Sequence, residues 1–267
     1  MKGRRISGFA VFCAVITVVS VLIVGGNVAV IAFRGIQSLP ERIAQPETLF
    51  ALRLSVKSAC ISTLLCFVLA VPTAYTLTRT NIPGRRVIET VLELTMSLPY
   101  IVLGLSLLII FSSPGGKLLK SAGFPVVFSQ NGVIMAQLTV NLPFAVKLTS
   151  AAFQSVDKKL ENVAGLLGAS PVRRFFTVLL PLCGNPLLSA VILVWSRALG
   201  EFGATLMLVG VTRMKTETLP ASIYLAVSTN DLGAALASAF ILLCISAVSL
   251  LAANLLSGRA KKRSRYV

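Results

Sequence analysis

The sequence contains no histidine, the side chain whose charge changes most readily near neutral pH. It also lacks a Gly-x-Ser-x-Gly elbow, a Cys-x-x-Cys pair and any spacing that would gather metal ligands. Its one Gly-Lys step, Gly116-Lys117, runs into leucine and has none of the spacing of a phosphate-binding loop. Triad hydrolysis, metal chemistry and nucleotide hydrolysis by this chain are therefore not expected, and it is expected to bind no cofactor of its own. Charge is scarce too. Asp, Glu, Lys and Arg make up 13% of the residues, against about 25% in an ordinary soluble domain. The five cysteines, Cys13, Cys60, Cys66, Cys183 and Cys244, all fall within apolar runs. They read as small buried apolar residues rather than disulfides or metal ligands. No repeat, low-complexity linker or second domain interrupts residues 1–267, so a single membrane domain is expected.

What is abundant is apolar surface: 55% of residues are hydrophobic and the mean hydropathy is +0.87. The charges are bunched, leaving residues 6–33, 58–78, 94–116, 175–196 and 232–257 without any. A sixth stretch, about 131–155, carries only Lys147, near its end. A bilayer core takes roughly 20 apolar residues in a helix. The pattern predicts an all-α membrane protein with six transmembrane helices. The first five cover about 8–33, 52–79, 87–111, 131–155 and 182–209, and the sixth ends near 256. Pro99 predicts a kink in the third. The loop with Pro40 and Pro46 and the segments 112–132 and 210–231 fall outside, the last two with room for short helices. The start, "MKGRRISGFAVFCAVITVVS", has an apolar run too long for a signal peptide and no cleavage pattern, so it reads as a retained first helix.

The net charge is +16, and the cations follow the membrane rather than a nucleic acid. Fifteen of the 25 lie on the side of the two termini. They include Arg85 and Arg86, Arg173 and Arg174, and the basic tail 257–267. Eight lie opposite, and Lys147 and Arg197 fall within spans. That asymmetry predicts both termini in the cytoplasm, with the tail against anionic lipid.

One polar interruption is more ordered than the rest. In "LENVAGLLGAS", Leu160, Val163, Ala164 and Leu167 fall at i, i+3, i+4 and i+7, one face of a short helix. Asp157 is placed to cap its start and Gly168 to end it. Ser170-Pro171 then reads as the cap and first turn of a second helix, which carries Arg173 and Arg174 toward Pro181. By spacing alone, residues 157–181 are equally an ordinary amphipathic loop on the membrane surface.

The segment resembles the signature loop of permease subunits in ABC importers: Glu-Ala-Ala, three residues, Gly, nine residues, Ile-x-Leu-Pro. Here Gly168 is followed by nine residues and then Val178-Leu179-Leu180-Pro181. Asn162, Val163 and Ala164 stand at the Glu-Ala-Ala positions, and Glu161 lies one residue early. "VPTAYTLTRTNIPGRR", "SLPYIVLGLSLLIIF" and "RALGEFGATLMLVG" resemble the sulfate and molybdate/tungstate branch of these permeases. The resemblance implies the type I importer permease fold, with a coupling helix between the fourth and fifth spans. It assigns contact with the ATPase to Glu161, Asn162, Ala164, Gly168, Ala169, Ser170, Pro171 and Arg173. It also implies two ABC ATPase subunits carrying ATP and Mg, a second copy of this chain, and an extracytoplasmic oxyanion-binding protein. The implied cargo is molybdate or tungstate, with sulfate as the alternative. An ion-coupled secondary transporter remains a separate possibility, for which Glu201 is the main embedded carboxylate. Arg197 and Glu201, four apart, are expected to meet on the fifth helix. Their pair reads either as self-neutralising structure or as part of an anion pathway.

Overall fold

The structure, a computed structural model, describes residues 8–263, with side chains described through residue 256. The basic residues at positions 2, 4 and 5 and the side chains of the tail 257–267 lie outside that description. The described chain is helical with short connections. Four helices are long and apolar enough to cross a membrane: α1 (Gly8–Arg42), α2 (Pro46–Arg79), α6 (Gln130–Gln154) and the Leu232–Leu256 part of α12 (Leu232–Arg263). Two bent pairs add a possible span each. One is α3 (Arg85–Ser97) with α4 (Tyr100–Ser112), bent by 109°. The other is α8 (Pro171–Leu182) with α9 (Gly184–Leu199), bent by 75°. Short helices α5 (Pro114–Ser121), α7 (Lys158–Leu166), α10 (Gly203–Val209) and α11 (Leu219–Ser228) complete the chain.

Three expectations need correction. The kink at Pro99 is a full break. Proline disfavours helical geometry at the residue before it, and Leu98 adopts φ −76°, ψ 143°, ending α3. The fifth span does not run on to residue 209. It stops at Leu199, and residues 200–202 separate it from α10. The loop around Pro40 and Pro46 shrinks to three residues, because Pro46 opens α2 from its first turn, where a missing N–H costs nothing.

The core is centred on α2 and α6. The buried face of α2 is built from small residues, with Ala51, Ser55, Ala59, Ser62, Cys66, Ala70 and Ala74 all fully buried. Small side chains let helix backbones approach closely where no hydrophobic effect separates lipid from protein. Cys66, Ala70, Ala145, Val146 and Val194 join α2, α6 and α9. Ala74, Phe153, Leu179 and Cys183 continue the contact to α8. Leu103, Leu107, Val133, Val140 and Leu208 pack α4 and α10 onto α6. A Cβ at Gly104 would come within 2.7 Å of the Ala204 backbone, so that crossing needs glycine. Only Cys66 and Cys183 are buried as expected. Cys13, Cys60 and Cys244 lie on outward helix faces, where apolar lipid contact suits a thiol as well as a protein core does.

Candidate coupling segment and cavity at the broken span

The segment 157–181 folds as two short helices joined by a tight turn. The Asp157 carboxylate accepts the Lys159 N–H at 2.9 Å and caps α7. At the other end Gly168 adopts φ +86°, the left-handed conformation that glycine takes freely. The Ala169 N–H donates to the Ala164 carbonyl and the Gly168 N–H to that of Gly165, both at 3.0 Å. These two bonds are the Schellman pair that satisfies the last carbonyls of a helix. Ser170 then accepts the Arg173 N–H at 3.3 Å, and Pro171 opens α8. A π-helical turn, Phe175–Leu179, carries the chain toward Pro181.

The turn points α7 in an unexpected sense. Its apolar residues face outward: Val163 is exposed, and Leu166 and Leu167 are 88% and 83% exposed. Asn162, Gly168, Ser170, Pro171 and Arg173 are exposed beside them, and Ala164 and Ala169 are half-buried. Glu161 is the residue that turns inward. Its carboxylate meets Arg79 Nε at 2.7 Å, with both side chains nearly inaccessible. Arg79 Nη2 also donates to the carbonyls of Phe153 (2.6 Å) and Val156 (2.9 Å), just where α6 ends. One guanidinium thus ties the end of α2, the end of α6 and the first turn of α7. Sequence reasoning passed over Arg79, since a partner 82 positions away leaves no local spacing to read.

The second candidate site lies where the fifth span breaks. The break leaves the Ala198 carbonyl near a helix end, and the buried Gln137 amide reaches it at 2.9 Å. Gln137 also bonds Ser58 and Ser62 on α2. Arg197 and Glu201 do not pair as expected, because the i, i+4 relation holds only in an unbroken helix. Glu201 is buried and turns to α10, accepting the N–H groups of Ala204 (2.8 Å) and Thr205 (3.2 Å) and the Thr205 hydroxyl. It caps that helix. Arg197 turns the other way. Its Nη2 donates to the Tyr100 hydroxyl, and its guanidinium carbon sits 4.7 Å from the Phe144 ring centroid and 5.5 Å from that of Tyr100. Residues 197 and 201 border one cavity of about 430 Å³, with Tyr100, Val140, Ser196, Gly200, Phe202 and Gly203.

This geometry meets known proteins on both sequence and fold. The family described as binding-protein-dependent transport system inner membrane component matches residues 65–262. The chain belongs to that family. The molybdenum transport system permease protein ModB of Mycobacterium tuberculosis is 38% identical over 211 residues, covering 78% of this chain and 80% of that one. A probable sulfate transport system permease protein of Nephroselmis olivacea is 29% identical over 265 residues, covering 98% and 93%. A bacterial ABC transporter that imports alginate shares the fold at a TM-score of 0.70 and 18% identity, covering 94% and 96%. The fold is that of type I ABC importer permeases, and the chain is an inner-membrane permease subunit. It is a transport component, not an enzyme, and the ATP of such an importer is used by a partner ATPase.

Gly168→Val is expected to strain the turn by about 1–3 kcal/mol. The strain is all backbone, since a Cβ at Gly168 meets nothing within 4 Å. Gly168→Asn, which tolerates left-handed geometry, should keep ATPase co-purification near wild type while Gly168→Val loses it. Equal co-purification of the two variants would contradict a role for the turn.

Proposed function

We propose that this chain forms the membrane pathway of an ATP-driven importer for molybdate or tungstate, docking its ATPase through residues 157–181. The observation that carries the docking is the exposed apolar tip, Val163, Leu166 and Leu167, on a helix whose other side is anchored by Arg79. An apolar tip on a rigid mount suits a groove in a partner. The exposed neighbours Asn162, Gly168, Ser170, Pro171 and Arg173 would share that contact, whereas Glu161 would act from behind it by fixing the angle of α7. Two ATPases would face two copies of this chain, since a closed twofold assembly is the simplest built from one permease type. Affinity for the cargo would come from an extracytoplasmic binding protein, consistent with the family's description. A periplasmic protein accompanies the alginate importer in another solved complex of this fold.

The oxyanion reading is supported by the ModB and sulfate permease relatives. It is also supported by an embedded arginine free of any carboxylate partner among the described ion pairs. Competition tests the cargo: excess tungstate should suppress labelled molybdate uptake by the assembled importer, and equal excess sulfate should not. Suppression by sulfate alone would move the cargo to sulfate. The charge asymmetry of the loops supports an orientation with 157–181 and both termini in the cytoplasm. Reporter fusions at Gly116 and Lys215 should then read outside, and one at Gly84 inside. The opposite pattern would overturn that orientation.

A further inference from the structure

The cavity at the broken fifth span holds a cation with no counter-ion. Arg197 belongs to none of the ion pairs among the described residues, and its Nε is buried without a hydrogen bond. Glu201, the nearest carboxylate in sequence, spends its oxygens on α10. A charge withdrawn from water is costly unless it pairs or serves a pathway. The rings of Phe144 and Tyr100 steady the guanidinium through cation–π contact. They supply no negative charge, so neither ring neutralises it. Arg197 lies thirteen positions, roughly 20 Å, along α9 from Gly184, in the last turn of the helix beside the break. The space beside it, about 430 Å³, is large enough for a small oxyanion with several waters.

We propose that this cavity is a transit site for the oxyanion, with Arg197 as its charged contact, Tyr100 as the residue that positions the guanidinium and Ser196 as an added hydroxyl. The proposal rests on the reading of the chain as an oxyanion permease. The site is built to be weak. Arg197 is the one cation among the residues that line it. A pathway conducts only if its sites release what they bind.

The test uses the importer assembled with its ATPase and binding protein. Arg197→Gln should lower labelled molybdate uptake by about tenfold or more in an importer that still co-purifies with its ATPase, because a field focused in a cleft sets local anion concentration on that scale. Arg197→Lys should recover part of the loss. A second readout needs no transport. With the five native cysteines replaced by alanine, Ser196→Cys is treated with anionic or cationic thiol reagents of equal size. The anionic reagent should react about tenfold faster, and Arg197→Gln should erase that preference. If the wild-type importer takes up no molybdate, tungstate or sulfate, the functional reading fails, while the reagent ratio still reports the cavity's preference for anions. Wild-type uptake retained in Arg197→Gln would overturn the transit site alone. So would equal reagent rates at Ser196→Cys with Arg197 intact, which decides the matter even if Arg197→Gln fails to assemble.

Discussion

Replacing Arg79 by alanine is expected to destabilise the chain by about 3–5 kcal/mol and to loosen α7 from the bundle. The substitution removes three interactions at once. The Glu161 carboxylate is left nearly inaccessible without its cation, and the carbonyls of Phe153 and Val156 lose their donor. A buried charge stripped of its partner costs far more than the pair itself contributes, because desolvation is no longer offset. The same physics predicts the pattern of controls. Glu161→Gln, which keeps a polar group and leaves Arg79 its two carbonyls, should cost less. Arg79→Met with Glu161→Leu should recover most of the loss, since an apolar pair leaves no orphan charge. Thermal unfolding and protease cleavage within 157–181 measure the effect. A loss below about 1 kcal/mol for Arg79→Ala, the range of a solvent-exposed pair, would contradict the anchoring role.

The second large effect is expected at the tip of the same segment. Leu166 and Leu167 are too exposed to hold this chain together. Changing both to aspartate should leave the permease folded and its melting temperature within a few degrees of wild type. Each leucine fully buried against a partner contributes about 1.5–3 kcal/mol. Losing both should weaken ATPase binding at least about hundredfold, since each 1.4 kcal/mol is a factor of ten. Co-purification with the ATPase should disappear. Undiminished co-purification would move the docking surface elsewhere, and a collapsed melting temperature would show that the two leucines serve the permease's own fold.

The two positions differ in how visible they were before the fold was known. The turn at Gly168 is local: its glycine, the Ser-Pro step after it and the cap at Asp157 each follow from neighbouring residues, and each takes the expected geometry. The orientation of α7 is not local. The spacing of Leu160, Val163, Ala164 and Leu167 describes a face but not what it faces, and the buried contact went instead to Glu161. Arg197 and Glu201 show the reverse error. Their spacing suggested a contact, but Gly200 and Phe202 interrupt the helix that would have made it. Pro99 marked a disturbance whose size, 109°, depends on how α4 packs against α10. Local chemistry thus fixed where helices stop. Long-range packing fixed what they touch.

ATP-dependent uptake tests the central claim most directly. Carrying one negative charge inward against 100 mV, inside negative, costs about 2.3 kcal/mol, so a dianion costs about 4.6 kcal/mol before any concentration gradient. Vesicles are prepared with an inside-negative potential, this chain, its ATPase and the extracytoplasmic binding protein, and labelled molybdate is supplied on the binding-protein side. The account predicts accumulation that requires ATP, stops when either partner is withheld, and is lost with Leu166→Asp/Leu167→Asp. Uptake that proceeds without ATP, or selective uptake of a cation or a neutral sugar in place of the oxyanion, would contradict it.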